Sequence, residues 1–109
     1  IDLKDDAKAL AFAHAATSWL EHLASRGVIN AYRIFRRKLN LASDSCRDFL
    51  IEVELDDLAQ LDKLFREVSS RDDDAERLYN AVHQMIATAD FGLYRPYPDP
   101  QRAERVALF

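Results

Sequence analysis

The sequence contains few residues that interrupt secondary structure. It has only two glycines and three prolines in 109 residues, and all three prolines lie between residues 96 and 100. Because few such residues interrupt the chain before that point, long helices are favoured over many short strands. A single cysteine, Cys46, excludes an internal disulfide and is typical of a reducing compartment. The length corresponds to one domain with one core.

An excess of positive charge and a long hydrophobic run are also missing. The formal net charge is −4, whereas binding of nucleic acid through counterion release needs a basic surface, so no nucleic-acid partner is expected. The most apolar run, residues 9–20, is too short to span a membrane and lacks the layout of a signal peptide. We therefore expect a cytoplasmic protein without a membrane partner.

Motifs for catalysis or cofactor binding are absent as well. The chain has no glycine-rich phosphate loop, no GxSxG and no CxxC. His14 and His22 are eight residues apart, whereas two ligands of one metal on a helix need i, i+4 spacing, so we interpret both as solvated. Cys46, beside Arg47 in a polar segment, is interpreted as an incidental loop thiol. The sequence therefore predicts no metal and no cofactor.

The first half of the chain contains a helical period between strand-like segments. "IDLKDD" at residues 1–6 is typical of the end of a strand followed by a helix N-cap at Asp5 or Asp6. Residues 7–26 predict a helix, which Gly27 can end at positive φ. Residues 28–39 and 48–55 predict the two strands of a hairpin. The main apolar stripe of the helix comprises Phe12, Ala16, Trp19 and Leu23.

The second half predicts a pair of helices and a last strand. Asp56 or Asp57 is the expected cap of the second helix, and Asp72 or Asp73 that of the third. "DFGLYRPY" at residues 90–97 is expected to be the last strand, stopped by proline. The second helix is expected to bury Leu58, Leu61, Leu64, Phe65 and Val68. The third is expected to bury Ala75, Leu78, Val82, Met85 and Ile86, with Tyr79 at the margin.

The order of these elements predicts an α+β fold. Strand, helix, two strands, two helices and a strand form the ferredoxin-like split βαβ arrangement, a four-stranded antiparallel sheet with helices on one face. We assign residues 1–97 to this domain and residues 98–109 to an extended tail. The first strand is central in this topology yet very short here, so we expect it to extend upstream of Ile1. The apolar end, Val106–Phe109, is expected to dock on a surface.

The basic cluster formed by Arg33, Arg36, Arg37 and Lys38 raises the question of what neutralises it. If Tyr32 and Ile34 face the helices, burying apolar residues on both strands requires an odd sum of paired residue numbers in the hairpin. Arg33 and Arg37 are then neutralised across the strands, and Arg36 and Lys38 remain free. The predicted pairs are Ile34 with Ile51, Arg33 with Glu52, Phe35 with Leu50, and Arg37 with Asp48.

The element order and these segments resemble the dimeric α+β barrel superfamily, which includes antibiotic-biosynthesis monooxygenase-like and stress-responsive barrel proteins. More narrowly, the chain resembles a small bacterial family of unknown function within that fold. The likeness lies in the first helix, the hairpin strands "AYRIFRR" and "FLIEVEL", and the closing "ADFGLYRPY". It implies a homodimer in which two sheets pack face to face, and a pocket between sheet and helices or inside the barrel.

Haem-degrading members of that superfamily use a helix histidine, with asparagine and tryptophan nearby. His83 is the comparable residue, but no asparagine ends the first strand and Trp19 is on another helix. His83 is therefore either a candidate base or a residue capping an apolar face. The candidate ligand-binding residues are Tyr32, Tyr79, Tyr94 and Arg95. Two functions stay open: binding or oxidising a small aromatic or lipophilic molecule, or forming a non-catalytic structural or binding dimer.

Overall fold

The computed structural model describes residues 1–38, 47–69 and 73–98. These residues form a mixed α+β structure whose element order agrees with the prediction. The strands pair as two antiparallel two-stranded sheets, β1 with β4 and β2 with β3. The elements are β1 (Asp2–Leu3), α1 (Ala9–Ser25), β2 (Ala31–Arg36), β3 (Phe49–Glu54), α2 (Leu58–Val68), α3 (Asp73–His83) and β4 (Ile86–Thr88).

Helix α1 supplies the largest share of the core, as its apolar period predicts. Its fully buried side chains recur at helical spacing and face the strands. The expected cap at Asp5 or Asp6 is wrong, because the N–H of Ala7 bonds to the carbonyl of Lys4 at 3.0 Å and both aspartates lie in that turn. Lys8 is the N-cap and makes no side-chain capping bond. The buried residues of α1 are Phe12, Ala16, Leu20 and Leu23.

The C-terminus of α1 is closed by Gly27, as predicted. Its φ of +74° lies in the left-handed region, which a residue without Cβ adopts at little cost. The N–H of Gly27 bonds to Ala24 at 3.0 Å and that of Val28 to Leu23 at 3.3 Å. This is the Schellman pattern, and the contact between Val28 and Leu23 in the core completes it.

The hairpin register is confirmed. Ile34 lies opposite Ile51 and Arg33 opposite Glu52. Beyond the end of β2, the N–H of Arg37 still bonds to the carbonyl of Asp48 at 3.0 Å. A shift of one residue would have placed Glu52 on the core side, so burial of the apolar face fixes the register.

The core consists of two neighbouring clusters between α1 and the strands. In the first, the rings of Phe12 and Phe49 lie 4.8 Å apart between centroids at 47°. In the second, Leu20 and Leu23 pack against Val28 and Ile29. Full burial of one such side chain contributes roughly 1.5–3 kcal/mol. Trp19, predicted on the core stripe, is half-buried and contacts both clusters.

Helix α2 differs from its prediction in what it buries. Asp57 is the N-cap, as expected, and its side chain accepts a hydrogen bond from the N–H of Gln60. Leu58 and Phe65, however, are 60% and 62% exposed, and the buried residue is Gln60. Leu64 alone of the predicted face packs against the second core cluster. The helix is thus held by polar contacts at its start as well as by apolar ones.

The last strand lies earlier than predicted. Helix α3 begins at Asp73 and buries Ala75 and Val82, but it ends at His83, and Ile86 belongs to β4. Residues 90–97 form no strand. A strand needs a neighbour with which to exchange hydrogen bonds, and β1 offers partners over two residues only.

Some predictions fall outside the described residues: Cys46, a cap at Asp72, and the tail from residue 99 with its end at Val106–Phe109. Among the residues described, no helix is long and apolar enough to cross a membrane.

Candidate functional site

Two of the predicted site residues meet in one aromatic cluster. The rings of Tyr79 and His83, one turn apart on α3, stack with centroids 5.4 Å apart at 20°. Trp19 of α1 lies against the other side of Tyr79, with 5.6 Å between ring centroids. Sequence reasoning interpreted Trp19 as a packing residue, which agrees with this contact, but it did not place Trp19 beside Tyr79.

The chemistry open to this cluster is limited. The hydroxyl of Tyr79 is 3.5 Å from Nδ1 of His83, at the outer limit of a hydrogen bond. His83 is exposed, and neither cleft found near the start of α1 is lined by Tyr79 or His83. The aromatic cluster of Trp19, Tyr79 and His83 therefore borders neither of these two clefts.

Tyr32 lies apart from this cluster. Its hydroxyl donates a hydrogen bond to Oε1 of Glu21 on α1. The hydrogen bond to Glu21, with burial and the negative charge as smaller causes, raises the pKa of Tyr32 above its ordinary value of 10.0. Tyr32 thus acts as a protonated donor that ties β2 to α1, and this use occupies its polar atom.

Tyr94 and Arg95 lie in the segment that follows β4. Tyr94 is 89% exposed, and Arg95 is exposed as well. The ring of Tyr94 folds back over the chain here, 2.7 Å from where a Cβ on Gly92 would lie, but this exposed ring could shift to make room. The predicted site residues are therefore distributed over three places, and only Tyr79 and His83 are in contact.

A cleft that sequence reasoning missed lies where β1 passes into α1. Its volume is about 380 Å³, and it opens between this segment and the ends of β2 and β3. Three cationic side chains, Lys4, Arg36 and Arg37, line it together with two carboxylates. The full lining is Leu3, Lys4, Asp5, Ala7, Ala9, Arg36, Arg37, Asp48 and Phe49.

The charges of this cleft are only partly compensated. Arg37 lies 3.5 Å from Oδ1 of Asp48, and Oδ2 of Asp48 accepts a bond from the N–H of Leu3 at 3.0 Å. Within the described residues, no ion pair or hydrogen bond involves the side chain of Arg36 or Lys4. The basic cluster noticed in the sequence was the available signal, although nothing in the sequence placed Lys4 beside it.

A second charged group joins the ends of β1 and β4 to β3. Nη1 of Arg47 is 2.7 Å from Oδ2 of Asp2, and Nη2 is 3.2 Å from Oδ2 of Asp90. The hydrogen bond from Arg47, with that from the Asp48 N–H and the nearby positive charges, lowers the pKa of Asp2 below 3.8 although partial burial opposes it. The same contact to Asp2 raises the pKa of Arg47. Arg47 thus acts as a structural tie between distant segments.

The outer face of the hairpin points away from the helices. Phe35 and Leu50 lie opposite each other there and are 44% and 62% exposed. On one side of this pair Arg33 contacts Glu52 at 2.9 Å. On the other side Arg37 contacts Asp48. The result is an exposed apolar pair between two ion pairs.

In the described residues, these features define a small α+β protein with an exposed apolar pair on the outer face of the hairpin and a cationic cleft. The chain belongs to a family of unknown function, DUF6614, whose match covers residues 1–109. No curated protein and no solved structure matches the sequence. In the described part of the chain, no group of three or more histidine, cysteine, aspartate or glutamate side chains is arranged to hold a metal ion.

Proposed function

We propose that the protein functions as a homodimer whose protomers meet through the outer face of the β2–β3 hairpin. The exposed pair of Phe35 and Leu50 carries this proposal. Two large apolar side chains side by side on a sheet face leave an apolar patch in water, and an interface core of this kind with a polar rim is typical of protein association.

The charges around the patch fit a second copy of the same chain. A twofold interface brings identical surfaces together, so a self-complementary face needs both signs of charge. Arg33 and Glu52 supply one cation and one anion on this face, and Arg37 and Asp48 supply another such pair. Each pair can therefore meet its opposite charge in the partner as well as within its own sheet.

We further propose that the two sheets form one four-stranded ferredoxin-like sheet, which would support this mode of assembly. The N-terminal nitrogen of Ile1 donates to the carbonyl of Phe49 at 2.9 Å, and the N–H of Phe49 donates to the carbonyl of Ile1 at 3.0 Å. This reciprocal exchange is that of an antiparallel pair and favours the order β4–β1–β3–β2. The helices would then cover one face, leaving the other for a partner, as in the dimeric barrels that the sequence resembles. The single cysteine is consistent with a cytoplasmic location.

The packing between sheet and helices gives less support to a ligand or substrate pocket in that layer. Phe12, Ala16 and Leu20 fill it, with exposed fractions of 0%, 0% and 1%. A binding dimer is therefore the better-supported of the two functions expected from the sequence, and oxidation of a lipophilic molecule has no observation in its favour.

Reversing one charge on the outer face tests the dimer. Glu52→Arg places an arginine directly opposite Arg33, and we expect it to raise the dimer dissociation constant about tenfold, since like charges in an interface are costly. Adding Arg33→Glu should restore part of the loss. Sedimentation velocity over a concentration series measures both, with circular dichroism to confirm folding.

Glu76→Arg is the matched control, because Glu76 is an exposed glutamate on α3, away from the sheet. It should leave the dissociation constant unchanged. A wild-type protein that is monomeric at every concentration would refute the dimer. Equal effects of Glu52→Arg and Glu76→Arg would refute the choice of face.

A further inference from the structure

We propose that the cleft lined by Lys4, Arg36 and Arg37 binds a phosphate-bearing small molecule. The chain has a net charge of −4, yet three cations converge on this one concave surface. Charges of like sign repel, so a cluster of cations is stabilised by an anion between them. A volume of about 380 Å³ lies within the range of roughly 300–1,000 Å³ typical of small-molecule sites.

Arg36 is the residue whose position is least explained by folding alone. Strand alternation places its side chain on the same side as Ile34, towards the helix layer, and opposite Phe49. At this end of the sheet α1 has only just begun, so the guanidinium lies exposed at the cleft instead of in the core. None of the described residues makes an ion pair or hydrogen bond with that guanidinium. It is available to form a bidentate contact with phosphate oxygens.

The start of α1 adds backbone donors beside these cations. The first N–H with an acceptor at the helix start is that of Phe12, bonded to the carbonyl of Lys8 at 2.9 Å. The N–H groups of Ala9, Leu10 and Ala11 therefore lack an acceptor within the helix, and the N-cap side chain of Lys8 does not provide one. Ala7 and Ala9 line the cleft. The positive end of the helix dipole thus reinforces the preference for an anion.

The carboxylates of the cleft do not cancel its positive charge. Asp48 is already in contact with Arg37 and with the N–H of Leu3. Asp5 remains, so three cations face two carboxylates. Because the cations come from two separate chain segments, they suit a tetrahedral group with several charged oxygens better than a planar carboxylate, which one arginine can bind alone.

A competing explanation assigns Arg36 a protective role. An inward-pointing charge on an edge strand discourages pairing with another chain, and β2 has β3 as its one neighbour within the described residues. That role requires a charge but no affinity for a phosphate. The two explanations therefore differ in whether the cleft binds an anion saturably.

Titration with inorganic phosphate against sodium chloride at matched ionic strength, followed by amide NMR shifts, tests the proposal. We expect saturable shifts concentrated at Ala9–Ala11 and Arg36. Arg36→Gln should weaken phosphate binding about tenfold, the loss expected for one charge-assisted contact. Arg33→Gln is the matched control, an arginine of the same strand engaged with Glu52 on the other face, and should change the affinity less than about twofold.

Vesicles containing anionic phospholipid form a second arm, because a lipid headgroup offers the same chemistry. Binding of phosphate without cosedimentation with vesicles supports a small-molecule site. Cosedimentation without saturable phosphate shifts would overturn it in favour of a membrane surface. Amide shifts that rise linearly with phosphate without saturation would overturn the proposal in favour of nonspecific electrostatic attraction. Equal losses of phosphate affinity in Arg36→Gln and Arg33→Gln would do the same. The Arg36→Gln comparison separates this site from the dimer, since Arg36 lies on the opposite side of β2 from Phe35 and Leu50, whereas Arg37 and Asp48 border both surfaces.

Discussion

Gln60 is the buried polar residue whose replacement best tests how α2 is attached. It is 9% exposed, and its side-chain oxygen accepts a hydrogen bond from the N–H of Asp56 at 2.5 Å. Its amide nitrogen donates to Oδ1 of Asn30 at 2.8 Å and to the carbonyl of Gly27 at 3.4 Å. One side chain thus joins the loop after α1 to the loop before α2. Gln60→Leu removes all three bonds while keeping a side chain of similar size.

The expected loss in the free energy of unfolding is about 1–2 kcal/mol. Two of the three bonds are short, and a typical intramolecular hydrogen bond contributes about 0.5–1.5 kcal/mol net. The bond to Gly27 is long and adds little. Asn30 and Asp56 are exposed residues, so in the variant water can replace some of the hydrogen bonds that they lose. The loss of stability is therefore smaller than for buried polar groups left without any partner. A loss of this size lowers the melting temperature by roughly 4–16 °C in a domain of this length.

Urea unfolding at neutral pH and one fixed protein concentration measures this loss, since dimerisation would otherwise shift the apparent stability. Gln84→Leu is the matched control, the same substitution at an exposed glutamine, and should change stability by less than about 0.5 kcal/mol. Combining Gln60→Leu with Asn30→Ala should cost less than the sum of both, because they share one bond. If Gln60→Leu is no more destabilising than Gln84→Leu, the role assigned to Gln60 is wrong.

Two further perturbations address the core and the charged tie at β1. Phe12→Ala should lower stability by about 3–5 kcal/mol, because Phe12 is 0% exposed and packs on Phe49. Phe91→Ala is the control and should change stability little, because Phe91 is 96% exposed. Similar urea midpoints for both variants would contradict the assigned core. The lowered pKa of Asp2 stabilises the fold above its ordinary value of 3.8, and this contribution disappears as pH falls through the still lower pKa of the folded state. Asp2→Asn should therefore flatten the loss of stability on acidification, with Asp6→Asn at an exposed aspartate as the control. Identical acid unfolding profiles of the two variants would count against the pairing of Asp2 with Arg47.

Local patterns in the sequence predicted those parts of the fold in which one face of a helix or strand is buried. The stripe of α1 and the register of β2 with β3 follow from apolar periods of 3.6 and 2 residues. The cap at Asp57 and the end of α1 at Gly27 follow from the chemistry of those side chains. In each case the information lies within a few neighbouring residues.

What could not be predicted depends on residues far apart in the chain. The burial of Gln60 depends on Asn30, and the position of Arg47 on Asp2 and Asp90. Leu58 and Phe65 show the helical period of a buried face, yet both side chains remain exposed in the part of the chain that the structure describes. The cationic cleft could not be predicted either, because Lys4 and Arg36 are brought together only by the packing of β1 and α1 against the hairpin.

The arginines of the basic cluster noticed in the sequence have two different roles, because the side chains of a strand lie alternately on its two faces. Arg33 points outward and is neutralised by Glu52 across the hairpin. Arg36 lies three residues after Arg33. Because side chains alternate along a strand, this odd separation places the side chain of Arg36 on the opposite face, towards the start of α1. An acid in the next strand can reach only the outward residues of the cluster, and the inward one is left for another anion. Arg33 therefore belongs to the proposed interface alone and Arg36 to the proposed phosphate site alone, whereas Arg37 borders both. Loss of dimerisation in Arg33→Glu with phosphate binding intact, and the reverse in Arg36→Gln, would separate the two roles, whereas joint loss in either variant would mean that the two faces are not independent.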